Sequence, residues 1–253
     1  MRKAVLAAGV LFLVLGSIPL STYANETPAV QFTGVIPGVG FLDQEGTLTG
    51  SVSDSTYGTS WSATLTMTYG PDLAAVSTSG SLAGGGTVDE GLQDSGEVVF
   101  AFAVVGPAGV QVPLIATAFG QAQGGGGDWG EAGFHIVGTS VLFAACSDPS
   151  APSACSSYPN AFGGSEDFSA VAGCCYYVVV SAEGGGGITG PSGTWFASVD
   201  PMITINPSFA DASEFSLEFS AGPMTSTTPE PGTFLLLGSG LLGLAPLIRR
   251  RLI

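Results

Sequence analysis

Trp61-Ser62-Ala63-Thr64-Leu65-Thr66-Met67-Thr68-Tyr69 alternates apolar and polar side chains without a break. Successive side chains of a strand point to opposite faces, so this pattern predicts a β-strand with one face buried. Phe215-Ser216-Leu217-Glu218-Phe219 alternates in the same way. Four further segments, 98–105, 110–119, 134–143 and 175–182, are more continuously apolar, as expected of strands central to a sandwich. Residues 195–205 predict another strand, broken near Asp200-Pro201. Turn formers separate these blocks: Gly70-Pro71-Asp72, Gly84-Gly85-Gly86, Gly106-Pro107, Asp148-Pro149 and Gly190-Pro191. Residues 144–173 form a Ser-, Pro- and Gly-rich stretch that predicts a long loop. The tetraglycine runs Gly124–Gly127 and Gly184–Gly187 predict flexible inter-strand loops. Outside the termini no helical period reaches three turns. The fold class expected is therefore all-β, a single β-sandwich of jelly-roll or immunoglobulin-like type over residues 25–222.

The two ends follow different rules. Arg2 and Lys3, then the apolar run Ala4 to Leu15, then Thr22-Tyr23-Ala24, match a secretory signal peptide over residues 1–24, cleaved after Ala24. At the other end a Pro-stiffened spacer, residues 223–232, precedes an apolar segment and Arg249-Arg250-Arg251 within residues 233–253. Thr233 to Ile248 is 16 residues. As a helix it would span roughly 24 Å, short of the ~30 Å hydrocarbon core, a gap that arginine snorkelling and bilayer thinning can cover. The arginines stay cytoplasmic by the positive-inside rule, which places Pro229-Glu230-Pro231 just outside the membrane.

Charge divides the chain in the same places. All five basic residues lie in these termini, whereas the 20 acidic residues lie between Glu26 and Glu230. Phosphate contacts are supplied chiefly by Lys and Arg, so nucleic acid is excluded as a partner. No Lys or Arg can form an ion pair inside the body, and divalent cations become its natural counter-ions. Both glycine runs lack the Gly-Lys-Ser/Thr of a phosphate cradle.

Chemistry-bearing residues are few. His135, the single imidazole, sits among Phe134, Ile136 and Val137 with no Gly-x-Ser-x-Gly elbow in the chain, so an ordinary strand histidine is expected. Glu166 with Asp167, Asp128 with Glu131, and the group Asp89, Glu90, Asp94 and Glu97 are the carboxylate clusters from which a glycosidase pair or a Ca2+ site would be drawn. With so many acidic residues, chance pairing is expected, and no catalytic residue and no cofactor is assigned. Trp129 is a candidate for stacking on a sugar, or for anchoring a loop. Cys146, Cys155, Cys174 and Cys175 predict disulfides in an exported protein, with Cys174 and Cys175 each reaching back to one of the other two.

Pro229-Glu230-Pro231, the apolar segment and Arg249-Arg250-Arg251, in that order, resemble the PEP-CTERM sorting signal. The resemblance implies an exported protein of an exopolysaccharide-making Gram-negative bacterium, recognised by an inner-membrane exosortase that cleaves near Pro-Glu-Pro. Before cleavage the tail would sit in inner-membrane lipid. Afterwards the protein would reside at the cell surface or outside the cell, in association with exopolysaccharide or envelope. Residues 197–222, with Asp200-Pro201-Met202-Ile203-Thr204-Ile205-Asn206-Pro207 and Leu217-Glu218-Phe219-Ser220, are similar to the closing strands of many PEP-CTERM proteins, with Asn206 where an aspartate is common. The function expected is a non-enzymatic surface or matrix protein. A carbohydrate- or Ca2+-binding module is the alternative, and a carboxylate-dependent hydrolase stands behind both.

Overall fold

The structure is a computed structural model that describes residues 30–54, 59–70, 73–83, 92–149, 153, 155–186 and 192–220. The signal peptide with Ala24, the sorting residues Pro229 to Arg251, and Asp89 and Glu90 lie outside the described residues. Among the described residues no helix is long and apolar enough to cross a membrane.

Among the described residues, thirteen strands build two antiparallel sheets packed face to face. In the first sheet the order is β2 (Gly40–Leu42), β1 (Gln31–Ile36), β6 (Leu92–Val105), β11 (Cys175–Gly186), β8 (Asp128–Ile136) and β9 (Leu142–Ser147), with β13 (Ser216–Phe219) also on β6. The second runs β10 (Ala161–Val171), β7 (Gln111–Gly125), β12 (Gly193–Ile205), β5 (Leu73–Ala83), β4 (Thr59–Gly70) and β3 (Gly46–Asp54). The thirteen described strands outnumber the roughly seven to nine of an immunoglobulin domain and the about eight of a jelly roll.

Alternation decides what is buried. Trp61, Ala63, Leu65 and Met67 of β4 face inward, against Phe100, Phe102, Phe134 and Ile136 of the opposite sheet's core. Phe102 stacks on Tyr176 at 5.4 Å between ring centroids, and Phe100 meets Tyr69 at the same distance. Ser220, just beyond β13, is tied down by four bonds: its N and its Oγ both donate to Ala101 O, its Oγ accepts from Ala101 N at 2.8 Å, and its carbonyl accepts from the Tyr69 hydroxyl at 2.8 Å. Ser220 is therefore locked to the core.

Four local expectations change. Residues 134–143 are two strands, β8 and β9, because Gly138 at φ 82° turns the chain between them. The stretch 144–173 holds the end of β9 and all of β10, which pairs with β7 over eleven residues despite Gly163 and Gly164. Gly124–Gly125 and Gly184–Gly186 are strand residues rather than loop; the Trp195 indole at Gly184 and the Asp128 backbone at Gly124 occupy the space a Cβ would need. Strand β12 runs unbroken through Asp200-Pro201: pairing to β5 stops at Val199, so Pro201 lies where β7 alone is alongside.

Candidate functional site

The outer face of the second sheet is built from short hydroxyl side chains. Because β4 buries Trp61, Ala63, Leu65 and Met67, the residues alternating with them, Ser60, Ser62, Thr64, Thr66 and Thr68, point outward, and register extends the pattern across neighbouring strands. Thr47, Thr66, Ser77, Ser198 and Gln121 stand side by side across β3, β4, β5, β12 and β7. Thr49, Thr64 and Ser79 form the next row, and Ser51, Ser62, Ser81 and Thr194 the one beyond it. Neighbours in these rows bond to each other: Thr47 to Thr66 at 3.1 Å, Thr49 to Thr64 at 3.2 Å, and Ser62 to Ser81 at 3.1 Å. Strands lie about 4.8 Å apart and alternate residues nearly 7 Å apart along a strand, so the hydroxyls form a regular grid. None of these rows carries a charge, in a body with no permanent cation and a large acidic excess.

A groove of about 390 Å³ opens on this face. Thr66, Thr68, Ser77, Phe119, Gln121 and Asp200 are among the residues lining it. Phe119 is 62% exposed, an apolar ring offered to solvent beside hydroxyls and one carboxylate. Sequence reasoning missed this surface, because the rows join residues far apart in the chain. Its signal was visible in part, as the unusual Thr/Ser content of the polar half of β4.

The carboxylates predicted as pairs are separated by the pleat. Glu166 and Asp167 are consecutive on β10 and point to opposite faces. Asp128 faces inward and Glu131 outward on β8, and Asp94 and Glu97 diverge likewise on β6. Asp94 is fully buried and accepts a hydrogen bond from Trp195 Nε1 at 2.8 Å and another from Thr78 Oγ1, so it joins the first sheet to two strands of the second. Burial raises its pKa to about 6, with those bonds pulling the other way. Asp128 is 0% exposed, and neither carboxylate oxygen has a hydrogen-bond partner among the described residues. Burial alone lifts it to about 6.

Register brings together a different set. Glu131 of β8 stands directly opposite Glu183 of β11, which stands opposite Ser95 of β6, with Glu97 one row along. Gln93 Nε2 donates to Glu183 Oε2 at 3.0 Å. Burial, then the Glu131 charge, lifts Glu183 to about 7, against the weaker pull of Gln93. Burial also raises Glu97 and Glu131. Trp129 lies half-buried on this same face, opposite Gly185. His135 sits between Val179 and Leu142, and burial lowers its pKa, as for a neutral strand histidine.

Cys146 and Cys155 form a disulfide, with their Cα atoms 5.2 Å apart. The expectation that Cys174 and Cys175 reach back to them is overturned: both are free thiols at the start of β11. Glu131 Oε1 lies 3.5 Å from the Cys146 sulfur, but a disulfide sulfur has no proton to donate and little affinity for a metal. The three ligand atoms of Glu131, Cys146 and Cys155, though within 4.8 Å of one another, do not make a metal centre.

What the body's faces leave open, the tail decides. Residues 227–251 match the family described as PEP-CTERM protein-sorting motif. The chain carries a PEP-CTERM sorting signal. That motif marks an exported protein whose C-terminal signal is recognised by an exosortase. No curated protein and no solved structure matches the chain.

Proposed function

We propose that this PEP-CTERM protein is a non-enzymatic component of the cell surface or extracellular matrix that binds a neutral exopolysaccharide through the hydroxyl-bearing face of its second sheet. The carrying observation is the uncharged Ser/Thr grid with its Phe119 groove. Donor-acceptor hydroxyls match the hydroxyls of a sugar chain, and an exposed ring offers a stacking face to its apolar side. The acidic body repels polyanionic glycans and has no Lys or Arg to bind them, which favours a neutral one. A non-catalytic role is supported by the pleat, which turns Glu166 and Asp167, and likewise Asp128 and Glu131, to opposite sides of their strands.

Affinity electrophoresis through gels containing neutral glucans or galactans tests the binding. The expected outcome is retardation of the wild type and its loss in Phe119→Ala and Ser77→Glu, both at the groove. Equal mobility of all three in every gel removes the reading. Sorting is checked separately by intact mass of the envelope-associated protein: the expected species lacks residues 1–24 and everything after the Pro-Glu-Pro region.

A second reading, a Ca2+-binding module, is favoured by Asp128, whose buried carboxylate has no hydrogen-bond partner among the described residues and no Lys or Arg in the body to neutralise it. A melting scan with Ca2+ and with EDTA is its test. A rise with Ca2+ that disappears in Asp128→Asn supports a bound ion, and superimposable curves eliminate it.

A further inference from the structure

One end of the sandwich differs from the rest of the surface. Three turns meet there, residues 105–111, 137–141 and 171–175. Gly109 N donates to Ala172 O, Ala172 N to Val110 O, Gly173 N to Val104 O, and Val137 N to Tyr177 O, which ties the turns together. Not one of their residues is charged. Val105, Val110 and Val137 are 40%, 37% and 41% exposed, and the Cys174 thiol is exposed beside them. The bordering carboxylates, Glu214 and Glu218, lie to one side, on the 3-10 helix Ala212–Glu214 and on β13.

Cysteine arithmetic sharpens the point. Cys146 and Cys155 are spent on each other, so Cys174 and Cys175 have no partner left in the chain. Closing them on each other is opposed by geometry. Adjacent Cα atoms are about 3.8 Å apart, under the roughly 4.4 Å that disulfides need. Cys175 is also held in the ladder opposite Ala103, and burial together with the Cys174 sulfur raises its thiol pKa.

We propose that this uncharged tip is a self-association surface, and that Cys174 on it forms a disulfide with Cys174 of a second copy. A disulfide requires the two backbones to approach within roughly 5–6 Å. Wherever the body presents carboxylates, that approach would bring those of both copies together with no Lys or Arg between them. At the tip it brings valines together. The contact is isologous, the same patch on both copies, so it closes as a two-fold dimer. Chemically, the Cys174 thiolate attacks the disulfide of a thiol-disulfide oxidant, giving a mixed disulfide and one released thiol. Cys174 of the second copy then attacks that mixed disulfide and releases the second thiol. Two protons and two electrons leave the protein pair, and the oxidant is reduced to two thiols. The oxidising compartment rests on export by the sorting signal; the tip geometry does not.

The test uses the protein as it occurs in its native envelope, taken with N-ethylmaleimide present and run on non-reducing gels. The expected result is a dimer that dithiothreitol collapses, that Cys174→Ser abolishes and that Cys175→Ser retains. Val110→Glu slows dimer formation several-fold while leaving alkylation of Cys174 unchanged. The proposal is overturned by a dimer surviving in Cys174→Ser. It is equally overturned by monomers whose Cys174–Cys175 peptide is two hydrogens lighter, or by both thiols remaining alkylatable after treatment with oxidised glutathione. Native protein that is reduced, yet dimerises with oxidised glutathione, sinks the export reading and upholds the tip.

Discussion

Gly184 shows how much a single missing Cβ can decide. A Cβ built there would sit 2.0 Å from Trp195 Cδ1, and one at Gly80 would sit 2.1 Å from Trp195 Cζ2. The indole is thus clamped between a strand of each sheet, where its Nε1 reaches Asp94. Gly184→Ala is expected to destabilise the fold by about 1–3 kcal/mol or more, because an inner-layer ring must move to admit the methyl group. Gly164→Ala, with nothing within 4 Å of the new atom, is the control and should stay within about 0.5 kcal/mol. Paired thermal melts check both, and equal melting points would show that the indole is not held as described.

Across elements, the carboxylate row on β8, β11 and β6 sets the response to pH. Like charges directly opposite in a ladder destabilise it, and Glu131 faces Glu183 in this way. Glu183 titrates near 7 in the folded chain against its ordinary 4.5, so the native state holds the extra proton between those values. Its contribution is fully present below pH 4.5 and is lost as pH rises through 7. Asp94 and Asp128, raised to about 6, act in the same direction. The melting temperature is therefore expected to be higher at pH 5.5 than at pH 8. Glu183→Gln should stabilise the protein at pH 8 by about 1–3 kcal/mol, from roughly 1.4 kcal/mol per pKa unit discounted for partial solvation, and should flatten that slope. A melting temperature that rises from pH 5.5 to pH 8 would contradict this assignment.

For the whole molecule, charge of one sign dominates. With 20 acidic residues and every Lys and Arg confined to the termini, the folded body repels itself at neutral pH. Screening reaches about 8 Å at 0.15 M salt and about 30 Å at 0.01 M. Raising NaCl across that range at pH 8 should raise the melting temperature, opposite to a protein held by surface ion pairs. Calorimetry at the two ionic strengths measures the sign directly. The uncharged tip around Cys174 is spared that repulsion and is suited to contact with another copy.

The strand at Trp61–Tyr69 was legible because period-two alternation is a local pattern, and β4 spans it. Strand β10 was not, since Gly163, Gly164 and Ser165 have weak intrinsic β preference and are held by pairing to β7. The predicted acid pairs failed for the opposite reason: neighbours in sequence on a strand are not neighbours on a face. Residue order by itself determined export, the sorting signal, the all-β class and the absence of internal Lys or Arg, because each is carried by consecutive residues or by composition. Only the tertiary structure decided that Glu131 meets Glu183, that Cys146 takes Cys155 and leaves Cys174 free, and that hydroxyls of four strands share one face. Those outcomes depend on strand register, which is set by burying one face of every strand at once and is written in no single segment.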